Sequence, residues 1–219
     1  SDDGINWTDI GKGTTKTFKK ILFDGKRFIT FGSDGTTLGA SIMTSPNGLT
    51  WTEGSAPLHQ LNSVAFGNGV YTSIGRASQC RGAIFTSQDL IKWTYVNPIT
   101  SSTFNSVTYG NNQFVAVGFL GSIISSPDGI SWTVRNSGIT ETLSYINYVN
   151  GLFIALSRSS DIVLSSSDAK AWTVSRTGQK QKLHSVTYGN NQFVCVGDKS
   201  TIVTSPDAVT WTARASNLP

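Results

Sequence analysis

Apolar positions along this chain come in short alternating runs, and the runs recur in a fixed order. Five segments share one form: FKKILFDGKRFITFG at 18–32, LNSVAFGNGVYTSIG at 61–75, FNSVTYGNNQFVAVG at 104–118, LSYINYVNGLFIALS at 143–157 and LHSVTYGNNQFVCVG at 183–197. Each holds two apolar runs around Asp-Gly, Asn-Gly or Gly-Asn, the composition of a tight β-hairpin. A short loop and a third run such as TIVTS (201–205) come next, then a Ser-x-Asp segment and a fourth run ending in Trp-Thr. The second run is apolar at successive positions (Phe193, Val194, Cys195, Val196), so both faces of that strand are expected to be covered.

All the tryptophans belong to this pattern. Trp7, Trp51, Trp93, Trp132, Trp172 and Trp211 stand 44, 42, 39, 40 and 39 residues apart, each closing a segment of the type SPDGISWT (126–133). Four strands per repeat of about 40 residues is the spacing of a β-propeller blade. The reading is therefore an all-β chain forming a single β-propeller of about five four-stranded blades, at approximately 14–53, 57–95, 101–135, 140–175 and 180–215. Residues 1–10 supply only an extra outer strand. It is expected at the ring closure; a remnant of a further blade and a pairing with another chain, giving an oligomer, are the other uses open to it.

The Ser-x-Asp-Gly-x-x-Trp segment has a mechanical reading. Asp3, Asp89, Asp128, Asp168 and Asp207 can accept from backbone N–H groups two residues on, and a glycine tolerates the positive φ that follows. The tryptophan then fills the gap between neighbouring blades, its indole N–H finding an acceptor. These segments resemble the Asp-box (BNR-type) repeat of sialidases and related propellers across essentially the whole chain. They are one residue shorter than the sialidase form; Asn47 replaces the aspartate once, and Leu90, Ala169 and Ala208 replace the glycine. The boxes are read as turn scaffolding.

Composition adds a direction for binding. The 219 residues carry a net charge of +4 with only 14% charged positions. First hairpin turns and Ser-x-Asp segments fall on one face, second-strand loops and blade links on the other. That second face collects thirteen basic residues against six acidic ones, a net +7, whereas the first nets −3. The basic tally includes Lys16, Lys19, Lys20, Arg135, Arg176 and Arg214. A basic loop face steers anions towards a central opening, so the expected partner is an anionic glycan or an acidic protein surface. Candidate ligand contacts are Arg76 and Arg81 in GRASQCRG, Phe119 at a loop tip, Arg158 and Lys199. A protein–protein scaffold or assembly-factor propeller is the alternative, and a glycan array separates the two.

Catalysis is not expected. The sialidase resemblance implies an arginine cluster, a Tyr–Glu pair and an acidic proton donor, but the only glutamates are Glu53 and Glu141, both in blade links. His59 and His184 are the only histidines, and His184 opens a first strand where other copies have Lys19, Asn62 and Asn105. Cys80 and Cys195 fall in blades that do not adjoin, so no disulfide, metal or cofactor is expected. No run is long enough to insert in a membrane, and nucleic acid is not an expected partner. The opening Ser1 reads as an excised or processed piece, and an extracellular, cell-surface or virion setting is favoured.

Overall fold

The computed structural model describes residues 5, 16–34, 36, 39–57, 60–76, 82–97 and 99–215. The extra strand at 1–10 with Asp3 and Trp7, and likewise His59, Cys80 and Arg81, lie outside the described residues, Ile5 excepted.

The chain is an all-β, five-bladed propeller. Blade 1 comprises β1 (Thr17–Phe23), β2 (Phe28–Ser33), β3 (Ala40–Ser45) and β4 (Thr52–Glu53). Blade 2 has β5 (Gln60–Gly67), β6 (Val70–Arg76), β7 (Gly82–Ser87) and β8 (Thr94–Val96). Blade 3 has β9 (Phe104–Gly110), β10 (Gln113–Gly118), β11 (Ile123–Ser126) and β12 (Thr133–Arg135). Blade 4 has β13 (Leu143–Val149), β14 (Leu152–Ser157), β15 (Ile162–Ser166) and β16 (Thr173–Arg176). Blade 5 has β17 (Leu183–Gly189), β18 (Gln192–Gly197), β19 (Ile202–Ser205) and β20 (Thr212–Arg214). Every sheet is an antiparallel meander in chain order. Hairpin turns and Ser-x-Asp turns therefore share one face, and the remaining connections the other.

Local chemistry explains each element. Four of the five hairpin turns place two residues at positive φ, which asparagine and glycine accept: Asn68 and Gly69 sit at 48° and 72°, Asn190 and Asn191 at 51° and 59°; the blade 1 turn has Gly25 alone, at 93°. The first two strands of every blade pair with one residue bulged out, leaving Lys19, Asn62, Asn105, Ser144 and His184 unmatched in the ladder. A bulge re-aims its side chain, and here it aims at the next blade. Lys19 Nζ donates to Leu61 O (3.2 Å), Asn62 Nδ2 to Phe104 O (3.0 Å) and Asn105 Nδ2 to Leu143 O (2.8 Å). Ser144 is too short to continue the belt and bonds Leu156 O in its own blade, while His184 turns to Asp198.

The fourth strand begins after the tryptophan rather than ending on it. Backbone N–H groups between the aspartate and the tryptophan are taken by the aspartate side chain, so they cannot enter a ladder. β12, for example, starts at Thr133, one residue beyond Trp132.

The core lies between blades, as the fully covered second strands require. Ala65, Ile74 and Ile84 of blade 2 meet Val107, Phe114 and Trp132 of blade 3. Comparable clusters join blades 1 and 2, 3 and 4, and 4 and 5, with Trp93, Trp172 and Trp211 packed on their margins. Each fully buried large side chain there contributes about 1.5–3 kcal/mol. Among the described residues no such cluster joins blade 5 to blade 1. Ile21 and Phe23 are 57% and 55% exposed on one end and Val196 43% on the other.

Candidate functional site

The Ser-x-Asp turns repeat one hydrogen-bond pattern on the hairpin face. The Oδ1 atoms of Asn47, Asp89, Asp128, Asp168 and Asp207 each accept two backbone N–H groups, at 2.7–3.1 Å, from residues two and three positions on. Burial pushes the Asp128 carboxyl up, but the N–H groups of Ser131 and Ile130 with the Ser126 and Ser131 hydroxyls reverse this and hold it at about 2. The N–H groups of Thr210 and Val209 likewise hold Asp207 at about 2. Leu90, Ala169 and Ala208 take positive φ (66°, 57° and 61°) where the two other described copies place Gly48 and Gly129, so the turn is imposed by the carboxylate even where the residue resists it. The tryptophans are anchored as well: Trp51, Trp132 and Trp172 donate to the carbonyl three residues back, Trp93 to Ser55 O and Trp211 to Ser175 Oγ of the preceding blade. These carboxylates are occupied in holding turns.

The opposite face carries the candidate contacts one per blade. Arg76 ends β6, Phe119 opens the loop after β10, Arg158 follows β14 and Lys199 lies in the turn after β18. They share a face, and Arg76, Phe119 and Arg158 share one structural position, which Asp198 takes in blade 5, with Lys199 one residue further on; Arg81 lies outside the described residues. The Arg158 N–H bonds Thr142 O at 2.8 Å, which pins its backbone while the side chain stays exposed. Phe119 is 41% exposed and Leu120 is 76% exposed, in a loop closed by Gly118 N–H to Ser122 O (2.9 Å) and Phe119 N–H to Thr103 O (3.1 Å).

That face is less basic than the residue count implies. Lys16 pairs with Glu53, and Arg176 Nη1 lies 2.7 Å from Asp161 Oδ1. Arg135 and Arg214 fold back onto Ser125 Oγ (2.9 Å) and Thr204 Oγ1 (2.8 Å) of their own blades. Lys19 and Lys20 are not loop residues at all but lie within β1. Lys20 extends from blade 1 to the main chain of blade 3, its Nζ 3.3 Å from Val107 O. Aligning the copies gives the signal that would have placed it: Lys20 takes the position of Ser63, Ser106, Tyr145 and Ser185.

Two grooves flank the outer strands. One, of about 620 Å³, runs between the Ser-x-Asp turn of blade 2 and Ile130 of blade 3, with Tyr95 and Lys92 on its wall. The other, also about 620 Å³, lies between the link at 136–141 and Arg176. Among the described residues no cluster of His, Cys, Asp and Glu has metal-binding geometry, and no helix is long and apolar enough to cross a membrane.

No family model matches the chain, and no curated protein does. Solved structures do. YCF48 bound to D1 peptide superposes with a TM-score of 0.70 at 17% identity, over 91% of this chain and 67% of that one. A catalytically inactive virginiamycin B lyase from Staphylococcus aureus with quinupristin gives 0.77 at 12% identity, over 94% and 72%. The WD40 β-propeller domain of Doa1 gives 0.65 at 10% identity, over 88% and 66%. At these identities the likeness carries the fold: the chain is similar to β-propellers, among them proteins that bind peptides and proteins that are enzymes.

Proposed function

We propose that this chain is a non-catalytic binding propeller that recognises a peptide or protein segment with acidic residues, taken on the face of the second-strand loops. The Phe119–Leu120 tip carries the reading. Leu120 stands at φ 52° and ψ 41°, a left-handed conformation that costs a leucine about 1–2 kcal/mol, and the result is a large apolar side chain held in solvent. Lys199 takes the same left-handed position in the equivalent turn of blade 5 (φ 51°), and blade 3 fills that position with an exposed apolar side chain, a choice that suits recognition. Arg76 and Arg158 hold the position of Phe119 in the two neighbouring blades, on the same face as that tip. YCF48 bound to D1 peptide gives a precedent for a propeller of similar backbone taking a peptide.

Two further points support the absence of catalysis. Glu53 is engaged by Lys16, and Glu141 accepts the Thr140 N–H at 3.2 Å, in links of different blades. They do not form the facing pair that glycoside hydrolysis uses. The shared turn pattern supports the Asp-box reading, with the departures already given.

Fluorescence anisotropy with a library of acidic peptides bearing an apolar residue tests the reading. Binding weakened at least tenfold by Leu120→Asp and by Arg158→Glu supports it. A chain that binds anionic glycans on an array and no peptide reverses it in favour of sugar recognition, with Phe119 stacked on a ring.

A further inference from the structure

The innermost strands converge on the axis, and their side chains at one register define its lining. Blades 2, 3 and 5 place Ser63, Ser106 and Ser185 there, blade 4 places Tyr145, and blade 1 places Lys20. The Ser63 hydroxyl is satisfied locally: it accepts the Val107 N–H at 3.2 Å and donates to Val107 O at 3.4 Å. Lys20 Nζ reaches that same carbonyl at 3.3 Å. Val107 O, with two lone pairs, is then fully used.

An ammonium has three N–H groups, and Lys20 has this single hydrogen-bond acceptor and no carboxylate within ion-pair distance among the described residues. Burial keeps its pKa below the ordinary lysine value. Placing a long cation where serine serves in three other blades has a cost of desolvation that only an acceptor repays. The surroundings indicate its kind. Lys20 also lines a cleft of about 150 Å³, together with Leu22, Phe23, Phe66, Thr108 and Tyr109. Leu22, Phe23, Val64, Ala65 and Phe66 give the cleft apolar surface beside its polar groups, so it suits an anion that brings an apolar body. At about 30 Å³ per water-sized unit the cleft holds about five such units, which limits the occupant to a short group.

We propose that the Lys20 cleft is a binding site for a carboxylate carried on a short aliphatic group, either a free acid or the end of a chain. The carboxylate takes two of the Lys20 N–H groups, and the aliphatic part lies against Phe23, Phe66 and Tyr109. The site is distinct from the loop face proposed for the protein partner and does not depend on it.

Titration of the isotopically labelled chain with sodium butyrate at constant ionic strength, followed by NMR, tests this. The expected result is a saturable shift of the Lys20 side chain and of the Thr108 and Tyr109 amides. Butyramide, the neutral isostere, should bind at least tenfold more weakly. Lys20→Met should abolish the saturable shift while melting no lower than the parent. N-acetylvaline, which presents its carboxylate at a chain end, shows by binding that a terminus is accepted, and by failing that the site takes a free acid. Equal binding of butyrate and butyramide, saturation by chloride alone, or undiminished binding by Lys20→Met overturns the proposal. If Lys20→Met fails to fold, Lys20→Gln and the butyramide comparison decide.

Discussion

The ring of Tyr109 in blade 3 lies against Gly67 in blade 2, so closely that a Cβ at residue 67 would stand 2.1 Å from the tyrosine Cγ. Tyr148 of blade 4 meets Gly110 of blade 3 in the same way, at 2.0 Å. The aromatic residue at the end of one first strand is thus seated on the glycine that ends the previous one. Gly67→Ala must push the ring out of its seat and should cost about 1–3 kcal/mol. Gly189 has nothing within 4 Å of an added Cβ, so Gly189→Ala should leave stability unchanged within about 0.5 kcal/mol. Urea unfolding of the two variants measures the contrast, and equal losses would refute the seating.

Acid should loosen the turns. Asp128 and Asp207 titrate at about 2 in the folded chain against an ordinary 3.8. Their folded pKa values are depressed, so their contribution is complete above the unfolded value and disappears as pH falls from about 4 to about 2. The melting temperature should drop across that window. Replacing both with asparagine, which Asn47 shows the turn accepts, should lessen the dependence, while Asp89 and Asp168, also held low by turn N–H groups, keep part of it. An unchanged slope would mean that the carboxylates do not stabilise the turns.

The bulged residues should behave as latches between blades. Asn105→Ala removes the donor to Leu143 O and should cost about 1 kcal/mol. Ser144 occupies the corresponding position in blade 4 without reaching blade 5. Ser144→Asn should extend the belt and raise stability by about 0.5–1 kcal/mol. A loss in Ser144→Asn, read by thermal unfolding, would show that blades 4 and 5 stand too far apart for the bond.

Burial pushes the Cys195 thiol up to about 12, and the side chain has no exposure. A Cys80→Ser variant should therefore fail to react with Ellman's reagent while folded and give one thiol per chain in denaturant. Reaction in the native state would place Cys195 at a surface.

Much of this architecture was legible in the chain itself, because propeller blades repeat both their turns and their indoles. Trp132 and Asn111–Asn112 mark a blade by spacing alone. What escaped is what depends on a neighbour. The bulge at Asn62 has no signature within one copy; it exists because the side chain finds Phe104 O on the next blade. The tally of charges by face places Lys20 among loop residues, although its register with Ser63 puts it on the axis. Trp132 has the look of a strand residue, yet the outer strand starts at Thr133 because the Asp128 carboxylate holds the backbone before the indole. The loop-face candidates Phe119, Arg158 and Lys199 were recognisable as exposed, but which of them a partner touches depends on that partner's shape.

The seating of Tyr109 on Gly67 also bears on how such a chain changes over generations. Each repeat brings its own plug, an aromatic ring, and, in most copies, its own socket, a glycine, so a duplicated unit arrives already able to join at both ends. Copy number can then vary by whole units without compensating substitutions at the joints. The identical decapeptides at 106–115 and 185–194 are the kind of trace that such whole-unit duplication leaves behind.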